Sequence, residues 1–267
     1  ILRCLVGSEM CIRDRIDRVP FRKQLFIFTG LYPFLAGWLI FGWFALPPVA
    51  SQDIGGLALT LIIGITGIAF SLPIGILLAL GRTSNLPVIK ILSVLFIEFI
   101  RGVPLIALLF IASTMLNYFM PPGTTFDLLV RVLIMVTLFA SAYMAEVIRG
   151  GIAGIPKGQI EAASAAGLSY WKTMYLIVMP QVLKISIPGI VNTFIGLFKD
   201  TTLVLIIGMF DLLGMGKAAL TNLNWAGLHR EMYLFVAVAF FFCCYGMSLY
   251  SGYLERKLDT ENKFQKK

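Results

Sequence analysis

Lys199 and Asp200 are the residues whose type and position most strongly indicate ligand chemistry, because they interrupt the otherwise uncharged apolar stretch 185–210. A charged side chain at the centre of a membrane-spanning helix costs about 2.5 to 3.5 kcal/mol, so such residues ordinarily face a partner or a water-filled cavity. Adjacent helical residues point about 100° apart, which prevents easy mutual neutralisation. The two could therefore meet the carboxylate and the ammonium of a zwitterionic ligand. Structural pairing with other helices is the alternative.

Two further acid–base pairs have a spacing of three residues. Glu98 and Arg101 lie on one face of an apolar helix, and either stabilise each other across a helix interface or border a translocation path. Glu146 and Arg149 have the same spacing at the end of another apolar stretch, directly before Gly150. Their position predicts that they anchor the following loop.

A short docking helix is predicted in that loop. Residues 161–167 read Glu-Ala-Ala-Ser-Ala-Ala-Gly. The alanines favour a helix with a smooth surface, and Gly167 permits the left-handed turn that ends it. A partner could seat such a helix in a cleft, so the segment is interpreted as a binding element and not as a catalytic one.

Catalytic constellations are absent from the sequence. No Gly-x-x-x-x-Gly-Lys-[Ser/Thr] motif is present, so this chain is not expected to hydrolyse ATP itself. The sole histidine, His229, has no expected partner, and the four cysteines have neither metal nor disulfide spacing. We expect no enzyme activity, no metal and no cofactor.

Composition indicates an all-α, polytopic membrane protein. The 267 residues are 58% hydrophobic and 13% charged, and the mean hydropathy is +0.88. A span needs about 20 apolar residues, and six stretches qualify: 24–52, 54–81, 86–120, 128–150, 185–210 and 232–254. Small residues along the second stretch, including Gly64, Gly67 and Gly75, predict close helix approach.

The distribution of basic residues predicts orientation. Seventeen of the 22 lysines and arginines lie in both termini, the loop at Arg82 and the loop 150–184, which places these segments in the cytoplasm. The turns at Pro121 and Trp225 then face outward. The basic residues lack interleaved aromatics, so the net charge of +8 is interpreted as topology and no nucleic-acid partner is expected.

The docking segment resembles the EAA loop of bacterial ABC-transporter membrane subunits, whose pattern is Glu-Ala-Ala, three residues, Gly, nine residues, Ile-x-Leu-Pro. Glu161, Ala162, Ala163, Gly167, Ile177 and Pro180 match this pattern, whereas Met179 replaces the leucine. Further segments are similar to the polar amino acid permeases of that superfamily, and most of all to the general L-amino acid permeases of Gram-negative bacteria. These segments are 98–104, 142–151, 155–159 and 198–203.

The resemblance implies a five-helix permease core at 54–254, with the cytoplasmic loop at 150–184 between its third and fourth helices. Residues 24–52 would then be an accessory membrane helix, 255–267 a cytoplasmic tail, and 1–15 foreign or truncated sequence. The implied partners are a cytoplasmic ATP-binding subunit dimer, a second permease subunit that is a copy or a homologue, a periplasmic amino-acid-binding protein and membrane lipid. The implied location is the bacterial inner membrane.

The expected function is translocation of polar or general L-amino acids, driven by ATP hydrolysis in the separate subunit. Candidate coupling residues are the six that match the pattern. Candidate substrate-binding residues are Lys199, Asp200, Thr201, Glu98 and Arg101. An ion-coupled secondary transporter is the alternative, and a membrane enzyme, a third possibility, has no catalytic cluster to support it.

Overall fold

The computed structural model describes residues 53–115 and 127–258, together with the single positions 31, 32, 35 and 118. Segment 1–15, nearly all of the predicted accessory helix 24–52, the turn at Pro121 and tail residues 259–267 lie outside the described residues. Within them the chain is all-α, as predicted, and its one β-bridge joins Gly56 to Asp211.

Nine α-helices are present in the described part of the chain. They are α1 (Gly56–Thr83), α2 (Pro87–Gly102), α3 (Leu105–Phe110), α4 (Leu128–Ala153), α5 (Lys157–Ala165), α6 (Tyr170–Thr173), α7 (Met179–Asp200), α8 (Leu212–Ala219) and α9 (His229–Leu258). Wider π-helical turns occupy Ile111–Met115 and Met174–Val178, and tighter 3-10 turns occupy Thr201–Ile207 and Leu223–Trp225.

Helices α1 and α4 form the most extensive contact, and α7 packs on both. Small residues of α1 allow this approach, as predicted: a Cβ at Gly75 would lie 2.7 Å from Met144 of α4, and one at Gly67 would lie 2.8 Å from Leu197 of α7. Larger side chains would push the helices apart and open voids in the packing between them.

The second core segment is not one straight helix, which corrects the expectation of a single stretch over 86–120. Helix α2 and the segment Leu105–Met115 meet at an angle of 101°. Val103 is extended, with φ −104° and ψ 130°, because a residue before proline avoids the helical region. The carbonyl of Pro104 then starts α3 by accepting hydrogen bonds from the N–H groups of Ala107 and Leu108.

The fourth core segment begins earlier than predicted. Helical structure runs from Tyr170 to Ile207, 38 residues, instead of starting at Ile185. Pro180 does not interrupt it because proline occupies the first turn of α7, where a missing N–H does little harm. Ile177 and Pro180 therefore belong to this helical segment, and the expectation that they lie in a loop is wrong.

Four helical segments are long and apolar enough to cross a membrane, or five when the bent pair of α2 and Leu105–Met115 counts as one span. Two apolar clusters fill the bundle. The external cluster includes Leu59, Ile63, Leu105, Val132 and Leu197. The cytoplasmic cluster includes Ile97, Met144, Ile148, Val178 and Val182.

Candidate functional site

An ionic cluster lies at the cytoplasmic end of the bundle, where α1, α2 and α4 meet. Arg82 Nη1 lies 2.7 Å from Glu98 Oε1 and 2.8 Å from Glu146 Oε1. Arg149 contacts Glu146 Oε2 at 3.0 Å, and Arg101 lies at a longer 3.7 Å from the same oxygen. Three cations thus surround two carboxylates, so the cluster carries one net positive charge.

Glu146 is the centre of the ionic cluster. Its side chain is 17% exposed and lies within 4 Å of all three arginines, whereas Glu98 is 52% exposed. The predicted pair Glu98–Arg101 is separated by 3.9 Å, the longest contact in the cluster, and Arg101 also lies over the ring of Tyr143. The predicted pair Glu146–Arg149 is confirmed, with Arg149 Nε and Nη2 both donating to the carboxylate.

Arg82 was assigned from sequence only to a basic loop. It occupies the last turn of α1, and its partners lie 16 and 64 positions later in the chain. No local spacing could indicate such contacts. The structure therefore joins three helices through a residue that sequence reasoning treated as a topology signal.

Helix α5 contains the predicted docking segment, and its end has the expected conformation. Gly167 has φ +76°, the left-handed region that glycine enters without steric cost. Its N–H donates to the carbonyl of Ser164, and the N–H of Leu168 donates to Ala163. These two bonds form a Schellman motif, which satisfies carbonyls at the helix end and fixes where α5 stops.

One face of α5 is seated on the bundle and the other is open. Ala163 is fully buried, and Ile155 and Ile160 join the cytoplasmic cluster, while Glu161 is exposed. Gln181 Nε2 of α7 donates to Gln159 Oε1 at 2.6 Å and to the carbonyl of Ile177 at 2.9 Å. The docking helix is thus held against α7 while it presents a small-residue surface next to Glu161.

The candidate coupling residues fall into two groups. Glu161 and Gly167 are exposed and Ala162 is half-buried. Ala163 and Ile177, in contrast, are buried, with Ile177 only 5% exposed. The sequence pattern therefore combines positions on a free surface with positions that hold this surface to the bundle.

Lys199 and Asp200 lie at the end of α7, not near the middle of a helix as expected. The hydroxyls of Thr201 and Thr202 donate to the carbonyls of Phe198 and Lys199, and such side-chain bonds accompany the change to the tighter 3-10 turn. Within the described residues, neither Lys199 nor Asp200 makes a side-chain hydrogen bond or ion pair, and the two do not pair with each other. Lys199 is exposed and Asp200 half-buried.

The five candidate substrate-binding residues do not form one site within the chain. Glu98 and Arg101 belong to the cytoplasmic ionic cluster, whereas Lys199 and Asp200 follow Leu197 of the external apolar cluster. Thr201 is 1% exposed, and its hydroxyl is donated to Phe198.

Two buried charges at the external end were missed by the sequence analysis. Arg131 Nη1 donates to the carbonyls of Ala112 and Ser113 in the turn after α3. Asp211 is fully buried and caps α8 by accepting from the N–H groups of Leu213 and Gly214. Burial raises the pKa of the Asp211 carboxyl, although these N–H groups and the nearby Lys217 oppose the shift. An acid directly before a helix is a capping signal that could have identified Asp211.

Residues 71–260 match the family described as binding-protein-dependent transport system inner membrane component. The chain belongs to this family. The matched residues include the ionic residues from Arg82 onward, all of α5, and the end of α7. The predicted resemblance to ABC-transporter permease subunits and the predicted inner-membrane location are thereby confirmed.

Two named relatives are amino-acid permeases. The chain is 60% identical over 220 residues to the glutamate/glutamine/aspartate/asparagine transport system permease protein BztC of Rhodobacter capsulatus, covering 82% of this chain and 51% of BztC. It is 54% identical over 231 residues to the inner membrane amino-acid ABC transporter permease protein YhdY of Escherichia coli, covering 86% of this chain and 63% of YhdY. The chain thus spans about half to two thirds of these relatives.

A solved structure supports the same family fold. The crystal structure of an amino acid ABC transporter with histidines has a TM-score of 0.66 and 28% sequence identity, and the similarity covers 76% of this chain and 92% of that one. The family's helical architecture therefore extends over most of the described residues.

Proposed function

We propose that this chain is the membrane-spanning subunit of an ATP-driven importer of polar amino acids. The observation that carries the proposal is helix α5: a short helix inside the family match, anchored on one face and open on the other. An ATP-binding subunit dimer would seat the open face next to Glu161. The chain would not hydrolyse ATP itself, because the sequence has no phosphate-binding motif.

Movement of α5 would reach the membrane helices through two connections. Ala163 and the Gln159–Gln181 hydrogen bond tie α5 to the start of α7. The ionic cluster ties α4, which leads directly into α5, to α1 and α2. Closure of the ATP-binding dimer would then reorient the bundle as a packed unit and give alternating access.

The substrate would be recognised where α7 ends. Lys199 and Asp200 have no side-chain partner in the described residues, so both are available to a ligand or to another subunit. A zwitterionic amino acid offers a carboxylate to Lys199 and an ammonium to Asp200. The name of BztC, which lists glutamate, glutamine, aspartate and asparagine, suggests acids and their amides as the first substrates to test.

Glu98 and Arg101 would border the cytoplasmic exit of the translocation path, because their cluster is partly exposed and lies away from α7's end. Thr201 would act indirectly, by fixing the backbone that carries Lys199 and Asp200. The cavity itself would form between this chain and a second permease subunit, to which a periplasmic amino-acid-binding protein delivers substrate. Segment 24–52 would be an accessory membrane helix outside the permease core.

Reconstituted transport tests the proposal. The chain is purified with its co-expressed ATP-binding and binding-protein partners, placed in liposomes, and assayed for ATP-dependent uptake of radiolabelled glutamine. Glu161→Lys reverses the charge on the open face of α5, and Gly167→Val places a branched side chain at φ +76°. Each variant should lower ATP-driven uptake at least about tenfold, because like charge or altered shape at a docking surface costs several kcal/mol.

Glu231→Lys is the matched control, since it makes the same charge reversal at the opposite end, in α9. It should retain uptake. Full uptake and normal ATPase association in Glu161→Lys would remove α5 from coupling. Ion-driven uptake by the chain without any ATPase would instead establish the alternative, a secondary transporter.

A further inference from the structure

A cleft of about 320 Å³ lies between α7 and the end of α9. Its walls are Lys184, Ile185 and Pro188 on one helix, and Glu255, Arg256 and Leu258 on the other. The cleft thus combines two cations, one carboxylate and an apolar wall. It is separate from both α5 and the ionic cluster.

The cleft lies at the depth of the cytoplasmic headgroups. The residues from Ile185 to Ile207 are apolar apart from Lys199 and Asp200, and at 1.5 Å per residue they span about the thickness of a hydrocarbon core. Lys184 immediately precedes this stretch. Arg256 lies in the last turn of α9, whose end is cytoplasmic according to the distribution of basic residues. Both cations therefore lie where the lipid phosphates of the inner leaflet lie.

The charge of the cleft favours an anion. Lys184 and Arg256 outnumber Glu255, whose carboxylate already accepts a hydrogen bond of 2.8 Å from the hydroxyl of Ser251. Lys257 is the next residue, and it donates to the hydroxyl of Tyr253. Basic pockets between membrane helices on the cytoplasmic side suit anionic lipid headgroups.

An apolar track leads from the cleft into the membrane. Tyr253, Leu249 and Phe242 lie three, seven and fourteen positions before Arg256, so they share its helix face. All three are exposed, at 40%, 52% and 67%. On the other helix Ile185 is 52% exposed, next to Lys184. A headgroup in the cleft would thus continue into acyl chains along α9.

We propose that this cleft is a binding site for an anionic phospholipid of the inner leaflet, with Lys184 and Arg256 contacting its phosphate. The site is independent of amino-acid recognition and of ATPase docking. It joins α7, which follows the docking helix, to α9, so an occupied site would hold these two helices together at the cytoplasmic surface.

Native mass spectrometry of the purified complex in mild detergent tests the proposal, with phosphatidylglycerol and phosphatidylcholine titrated in parallel. Phosphatidylglycerol should bind more tightly to the unmodified chain. The double substitution Lys184→Gln with Arg256→Gln should weaken this binding about fivefold for each cation removed. Glu255→Gln should strengthen it. Size-exclusion chromatography and thermal unfolding establish that each variant is folded.

Lys90→Gln with Lys172→Gln is the matched control, because it removes two exposed cations from the same side of the membrane but outside the cleft. It should leave phosphatidylglycerol binding unchanged. Equal loss in this control, equal binding of the two lipids, or unchanged binding in the cleft variant would overturn the proposal. Displacement of the lipid by millimolar inorganic phosphate would instead assign the cleft to free phosphate.

Discussion

Charged groups inside the helical bundle are satisfied differently at its two ends. At the cytoplasmic end, carboxylates and guanidinium groups neutralise each other around Glu146. At the external end, buried charges bond to the backbone: Arg131 donates to two carbonyls, and Asp211 accepts from two N–H groups. Lys199 and Asp200 have neither kind of partner within the described residues.

The difference separates structural charges from candidate binding charges. All three groups interrupt apolar sequence, and each would incur the same desolvation cost in a membrane. A charge that already has a partner within the chain needs no ligand to offset this cost. The unpaired charges at the end of α7 are therefore the ones that a substrate or a second subunit would complete.

The largest expected effect follows from removing an unpaired charge. Asp200→Asn keeps nearly the same volume, so the complex should assemble and hydrolyse ATP at its basal rate. Uptake should fall about 10- to 100-fold, the value of one charge-assisted hydrogen bond of roughly 1.5 to 3 kcal/mol. Reconstituted uptake, measured beside complex assembly, checks this expectation.

Glu231→Gln, which removes a charge from the start of α9, is the control for Asp200→Asn and should transport normally. Normal uptake by Asp200→Asn would exclude Asp200 from the substrate site. Loss of assembly would show that Asp200 pairs with another subunit instead, which would place it among the structural charges.

A smaller effect is expected at the ionic cluster, and there it concerns stability. Glu146→Gln leaves three arginines around one carboxylate, which should lower the free energy of unfolding by about 2 to 3 kcal/mol. This is below the 3 to 5 kcal/mol of fully buried pairs because the arginines are partly exposed. Thermal unfolding of the purified complex in detergent measures the change.

Glu98→Gln supplies the matched comparison for Glu146. The same chemical change at a side chain that is 52% exposed should cost less than about 1 kcal/mol. Equal losses at the two positions would mean that Glu146 is not the centre of the cluster.

Sequence reasoning identified features that depend on neighbouring residues. The helical fold class, the Gly167 helix end and the Glu146–Arg149 pair all follow from spacings of one turn or less. The close approach at Gly75 follows from residue size alone. Such features need no knowledge of which helices meet.

Features that depend on distant contacts could not be predicted in the same way. Arg82 meets Glu146 across 64 positions, and nothing near either residue indicates the other. Gly102 and Pro104 indicated a weak point in the second segment, but the 101° bend depends on how α3 packs against α4. Asp211 was local and was still overlooked, because the apolar stretch was taken to end just before it.

The smallest expected effect concerns Asp211 and sharpens the contrast between backbone and ionic partners. Burial raises its pKa in the folded state above the ordinary aspartate value of about 3.9. Stability from this group is therefore fully present below the unfolded pKa and is lost as the pH rises through the folded pKa. Asp211→Asn keeps a cap acceptor, so the change at neutral pH should stay below about 1 kcal/mol. The melting temperature of the unmodified complex, relative to Asp211→Asn, should be higher at pH 4 than at pH 7.5. Asp127→Asn, the same change at the half-buried cap of α4, controls for the loss of an acid at a helix start. A difference that grows with pH would show that the charged form of Asp211 is the stabilising one, and that backbone N–H groups satisfy a buried charge as fully as the arginines do at the opposite end.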